Sequence, residues 1–130
     1  MIAVDTNVLV RVLVDDAEQR AQTAAARKKM RAAKQIFVPQ IVQVECVWVF
    51  ETAYRMHKDA VIGILSHLCN NSAFVLQHPE TFMTALQWFQ QNNANFADCL
   101  ILAESRGAGC ELFTFDKRLG KQHGARLLTS

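Results

Sequence analysis

Ile2-Ala3-Val4-Asp5-Thr6-Asn7-Val8-Leu9 opens the chain with a short β-prone run that ends on an acid and passes directly into a helical pattern. Thr6 and Asn7 can start a helix that would carry Val8, Leu9, Val12 and Leu13 inward. The strand-then-helix order repeats down the chain. Asp15 and Asp16 offer caps for a long polar helix over about 18–34, rich in Ala, Gln, Arg and Lys. Ile36-Phe37-Val38, ahead of Pro39, reads as a second strand, and residues 40–56 follow it as a helix. Further helical patterns cover 58–69 and, after Ala73-Phe74-Val75-Leu76, about 79–91, where Pro79 suits a first helical position. Asn92-Asn93-Ala94-Asn95 separates these from a helix that Gly107 and Gly109 would end. Residues 111–115 make another strand, 117–121 a short basic turn and 125–128 a final apolar run. Strands alternating with helices imply an α/β fold: a three-layer α/β/α sandwich around a central, mostly parallel sheet, in one domain over residues 1–130.

Composition narrows the function classes. A chain of 130 residues with 51% hydrophobic and 20% charged residues has an ordinary core. Its formal net charge of +2 announces neither a nucleic acid nor a membrane, so any binding signal must be local. The apolar runs are broken by Asp5, Arg11, Gln40, Gln43 or Glu45, short of the ~18 residues of a membrane span. The opening Met-Ile-Ala-Val-Asp has no basic lead-in, which points to the cytoplasm. Cys46, Cys69, Cys99 and Cys110 are scattered, as are His57, His67, His78 and His123. Disulfides and zinc clusters are not expected.

Four carboxylates stand out. In an open parallel sheet, ligand sites form beyond the carboxyl ends of the strands, and Asp5 and Asp116 both follow an apolar strand directly. Each could equally be a helix N-cap. If residues 40–56 are helical, Glu45 is flanked on its own face by Ile41, Val42, Trp48, Val49 and Thr52, while Gln43, Glu51, Tyr54 and Arg55 mark the other side. That places Glu45 in an apolar stripe, where a carboxylate needs a partner. As a strand, the same segment would put Gln43 and Glu45 on one face; length favours the helix. Asp98 lies in the first turn of a later helix, in a favourable position for negative charge, and Asn95-x-x-Asp98 has the look of a capping box.

Taken together, Ile2-Ala3-Val4-Asp5-Thr6-Asn7-Val8-Leu9, Glu45, Asn95-Phe96-Ala97-Asp98 and Phe113-Thr114-Phe115-Asp116 resemble the PIN-domain ribonucleases over nearly the whole chain. The subgroup most similar in length and motif order is the small toxins of bacterial toxin–antitoxin pairs, the VapC type. The resemblance implies a sheet sandwiched by helices, a cleft of acids binding Mg²⁺ or Mn²⁺, endonucleolytic cleavage of RNA, a homodimer and a cognate antitoxin. Thr6, Asn7 and Thr114 match the polar positions that support the site in that family.

The donor set suits the chemistry independently. Mg²⁺ and Mn²⁺ take hard oxygen ligands and retain waters, so one or two direct carboxylates suffice. Asp5 and Asp98 are the expected direct ligands, with Glu45 and Asp116 holding waters or a second cation; Glu45 or Asp116 could accept a proton. Lys117 and Arg118, directly after Asp116, are candidate RNA-binding residues, and so is Arg11. The densest basic run, over 27–31, reads as a solvated helix face. Two rivals remain: an Asp-dependent phosphotransferase, which wants an acid where Asn7 stands, and a PIN-like fold that only binds a partner. A mere scaffold has no reason to keep four mutually repelling acids.

Overall fold

The computed structural model describes residues 1–129 and contains two compact units, Met1–Pro79 and Glu80–Ser130. In the first unit the elements run β1 (Ile2–Ala3), α1 (Thr6–Leu13), a 3₁₀ turn (Ala17–Gln19), α2 (Arg20–Ala33), β2 (Ile36–Val38), α3 (Gln40–Thr52), α4 (Lys58–Asn70) and β3 (Phe74–Leu76). The strands form a parallel sheet in the order β1-β2-β3, with Ile2 opposite Ile36 and Ile36 opposite Phe74. Its central strand buries Ile36 and Val38 completely on one face and leaves Phe37 half-buried on the other. All pairing is parallel, which is the α/β arrangement that the alternating pattern predicts.

Helix α1 starts where the Asp5 side chain accepts a hydrogen bond from the Val8 amide at 3.0 Å. Its buried residues are Leu9 and Val10, and Val8 faces outward, against expectation. The core stripe therefore runs through Leu9, Val10 and Val14, and Val8 lines a surface hollow with Ala25, Ala26 and Lys29 of α2. The 3₁₀ turn is capped by Asp16, as its position suggests. In the basic run, Arg27 bonds the Val12 carbonyl at 3.1 Å and pairs with Asp15 at 2.9 Å, tying α2 to the end of α1. Lys28, Lys29 and Arg31 are exposed. Helix α3 buries Val42, Gln43, Cys46, Val47 and Phe50 at helical spacing, and α4 buries Val61, Leu65 and Leu68.

The second unit holds α5 (Pro79–Gln91) from its second residue on, α6 (Phe96–Gly107), β4 (Leu112–Thr114), a 3₁₀ turn (Leu119–Lys121) and β5 (Ala125–Leu127). Phe96, at the start of α6, meets Phe82 and Phe89 of α5 edge to face, with ring centroids 5.6 and 5.8 Å apart. Strands β4 and β5 pair in parallel, Leu112 opposite Ala125 and Thr114 opposite Leu127. The turn between them lies close against β5: a Cβ on Gly120 would come within 2.9 Å of the Leu127 Cβ and 3.2 Å of its backbone. Only glycine fits there. Among the described residues, no helix is long and apolar enough to cross a membrane.

Candidate functional site

Each unit presents two of the four acids. In the first, Asp5 leaves the carboxyl end of β1 and caps α1 through one carboxylate oxygen, so the capping role is real. The next residue, Thr6, donates its hydroxyl to Glu45 Oε1 of α3 at 2.9 Å. Asp5, Thr6, Asn7, Glu45, Trp48 and Val49 together line an open hollow of about 350 Å³. Asp5 follows β1 and Glu45 lies on α3, as the sequence suggests, and Thr6 is a hydrogen-bond partner of Glu45.

The environment of Glu45 differs from expectation. Its flanking residues are apolar, but Ile41 is 69% and Trp48 67% exposed, and Glu45 itself is exposed. The stripe lies mostly at the surface, with Val42 buried at its edge. The buried polar residue of α3 is Gln43, which was expected on the polar side and is fully enclosed. Its amide nitrogen donates to the carbonyls of Val38 at 3.2 Å and Gln77 at 2.9 Å, joining α3 to the ends of β2 and β3. The signal was present: Gln43 stands three, four and seven residues before Cys46, Val47 and Phe50, the spacing of a buried face. Arg11 is engaged locally, through Nε to Gln22 at 2.9 Å and through Nη1 to the Tyr54 hydroxyl at 2.9 Å. Tyr54 in turn donates to Asp16 at 2.8 Å, and this bond holds the Asp16 carboxyl below its ordinary range.

In the second unit Asn95 is the N-cap of α6, its side chain accepting from the Asp98 amide at 2.8 Å. The cap is therefore Asn95, and the Asp98 carboxylate is left for another role. Burial, then the charge of Asp116, pushes the Asp98 carboxyl above its usual value. Asp116 follows β4; its amide donates to the Thr114 hydroxyl at 3.0 Å, and its Oδ1 accepts from Leu119 N at 2.9 Å, capping the 3₁₀ turn. Lys117 and Arg118 are exposed beside it. Neither Asp98 nor Asp116 is joined to a cation by either ion pair found among the described residues, Arg27–Asp15 and Arg126–Glu111. No group of three or more His, Cys, Asp or Glu that could hold a metal ion occurs among the described residues.

Parallel strands followed by the acids Asp5 and Asp116, one capping α1 and the other a 3₁₀ turn, accompany a match to a known class. A PIN domain model matches residues 2–124, and the chain belongs to the PIN domain family. Within that class it is similar to a VapC ribonuclease of Aquifex aeolicus (strain VF5), 23% identical over 124 residues that cover 93% of this chain and 91% of the relative.

Proposed function

We propose that this PIN domain is a divalent-metal-dependent endoribonuclease that hydrolyses RNA phosphodiester bonds, and that it is the toxin of a toxin–antitoxin pair acting in the cytoplasm. The observation that carries the proposal is the pair of unpaired acids Asp98 and Asp116, at the start of α6 and after β4, where burial and then the charge of Asp116 raise the Asp98 carboxyl. A hard cation relieves such repulsion, and the all-oxygen donor set fits Mg²⁺ or Mn²⁺. Similarity to a VapC ribonuclease along nearly the whole chain supports the same reading.

Asp98 and Asp5 are the proposed direct ligands, with Glu45 and Asp116 as water-holding acids. When bound, the cation supplies charge neutralisation at the phosphate and lowers the pKa of a water. Thr6 holds Oε1 of Glu45 and leaves Oε2 to accept a proton, while Thr114 and the Leu119 amide fix Asp116. Asn7, beside Asp5, lines the same hollow and is proposed to orient a carboxylate or a water there. Lys117 and Arg118 meet the phosphate backbone, and Arg11 contributes only through its remaining guanidinium nitrogen. A homodimer is supported by the exposed Ile41 and Trp48 of α3. Val47 and Phe50 of the same helix are buried in the core. The cognate antitoxin is expected to bring a basic side chain to the acids.

The test is cleavage of RNA by the purified chain with Mg²⁺ or Mn²⁺. Activity should vanish with chelator and in Asp98→Asn, Asp5→Asn and Asp116→Asn. Equal cleavage by wild type and these variants refutes the assignment. Expression of the wild type alone should arrest a bacterial host and that of Asp98→Asn should not; sedimentation at micromolar concentration tests the dimer.

A further inference from the structure

Between the end of α5 and the 3₁₀ turn of the second unit lies a cavity of about 320 Å³, lined by Gln91, Asn92, Asn93, Ala94, Arg118, Lys121 and Gln122. Its size is at the small end of the ~300–1,000 Å³ range of ligand cavities. Its chemistry is unusual for this protein: side-chain amides, two cations and no acid. Both walls are held. The Asn92 side chain and amide both bond the Trp88 carbonyl, at 3.0 and 2.9 Å, and Asn95 closes the other end of that loop as the α6 cap. Opposite, the Gly120 amide bonds the Asp116 carbonyl and the Gln122 amide bonds the Leu119 carbonyl, with Leu119 buried beneath.

Each wall also adjoins one of the acids Asp98 and Asp116. The loop with Asn93 and Ala94 runs into Asn95, whose side chain takes the Asp98 amide, and the turn bearing Arg118 and Lys121 is capped by Asp116. A phosphodiester near Asp98 and Asp116 therefore has its neighbouring nucleotide within reach of this cavity. Amide side chains pair with base edges through simultaneous donor and acceptor bonds, whereas Arg and Lys meet phosphate. In RNA such edges are available on unpaired nucleotides.

We propose that this cavity reads one unpaired nucleotide of an RNA strand, with Arg118 and Lys121 on the phosphate and Asn93, Gln91 and Gln122 on the base edge, so that it selects the sequence beside the cleaved bond. The ligand class rests on the ribonuclease reading above.

Binding without cleavage tests it separately. Affinities of the full chain for four labelled single-stranded homopolymer RNAs, measured by fluorescence anisotropy in chelator, should show a preference for one base on the order of tenfold. Asn93→Ala/Gln122→Ala should erase the preference while leaving the weaker RNAs bound as before. Arg118→Gln and Lys121→Gln should weaken all four alike and reduce the slope of log affinity against log salt by about 0.7 each. Circular dichroism melts check that the variants fold. Equal affinity for all four RNAs, or a preference untouched by Asn93→Ala/Gln122→Ala, overturns the inference, as does equally tight binding of a poly-glutamate peptide through the same residues. RNA cut with Mn²⁺ at sites that these variants do not alter leaves the nuclease standing and removes the base-reading cavity. Base-selective binding that the variants abolish, in a chain that cuts nothing, supports the cavity and removes the nuclease.

Discussion

Gln43 sets the position of α3, and thereby of Glu45 two residues on, so its replacement has a calculable outcome. In Gln43→Ala four side-chain atoms leave a fully enclosed site. Truncating a buried side chain of this length costs ~2–5 kcal/mol through lost contacts and the residual cavity. The Gln77 carbonyl loses its donor, whereas the Val38 carbonyl still accepts from the Gln77 amide at 3.0 Å. That loss is worth ~1–3 kcal/mol, but Oε1 of Gln43, buried with no partner, disappears with the side chain and returns a similar amount. The cavity term decides, and the midpoint of thermal unfolding should fall by roughly 10 °C for ~3 kcal/mol in a chain of 130 residues. Gln43→Met keeps the volume and removes both the donor and the orphan acceptor, so it should stay within ~1.5 kcal/mol of wild type. Gln43→Glu faces a carboxylate toward two carbonyl oxygens. Burial raises its folded pKa, so stability present at acidic pH, where the protonated acid donates one bond, is lost as pH rises through that pKa. Circular dichroism melts of the three variants at pH 5 and pH 7 measure this. If Gln43→Met is as damaging as Gln43→Ala, the two carbonyl bonds and not the filled volume hold α3. A pH-independent deficit in Gln43→Glu would mean that the side chain reaches water, contrary to the enclosure described.

Asp98, raised by burial and by Asp116, takes up its proton more readily in the fold than in the unfolded chain. Wild-type stability should therefore decline as pH rises from its ordinary 3.8 through the folded value, a decline that Asp98→Asn flattens in denaturant melts and that Mg²⁺ or Mn²⁺ offsets by mass action. An unchanged pH profile in the variant would place the repulsion elsewhere. Thr6→Val removes the hydroxyl that holds Glu45 and should lower cleavage about 10- to 100-fold while the melting temperature shifts little; retained activity would show that Glu45 needs no such support. Gly120→Ala must push the turn away from Leu127, costing ~1–3 kcal/mol and weakening RNA binding through Arg118 and Lys121; a neutral substitution would show that the turn yields freely. Burial lifts the Cys46 thiol to about 12, so in the native protein an alkylating reagent should modify exposed Cys110 and spare Cys46 until the chain unfolds.

What the sequence determined by itself is the local part: which segments are strands and helices, that the strands pair in parallel, and which acids follow a strand or open a helix. Periodicity, caps and turn residues are short-range physics, and Asp5, Asp16 and Asn95 cap where their positions say they must. Gln43 was placed on the polar side and is buried, although its spacing to Cys46, Val47 and Phe50 within one helix marks the buried face. Only the tertiary structure decided what each face meets. Whether the apolar residues around Glu45 form core or surface depends on how α3 is rotated, and that rotation is set by partners far along the chain: Val38 and Gln77 for Gln43, and Thr6 for Glu45. The cavity between residues 91–94 and 118–122 has the same origin. Its walls are separated by a helix and a strand, and no local pattern brings an asparagine loop to a basic turn; the pairing of β4 with β5 and the close approach at Gly120 set where that turn lies.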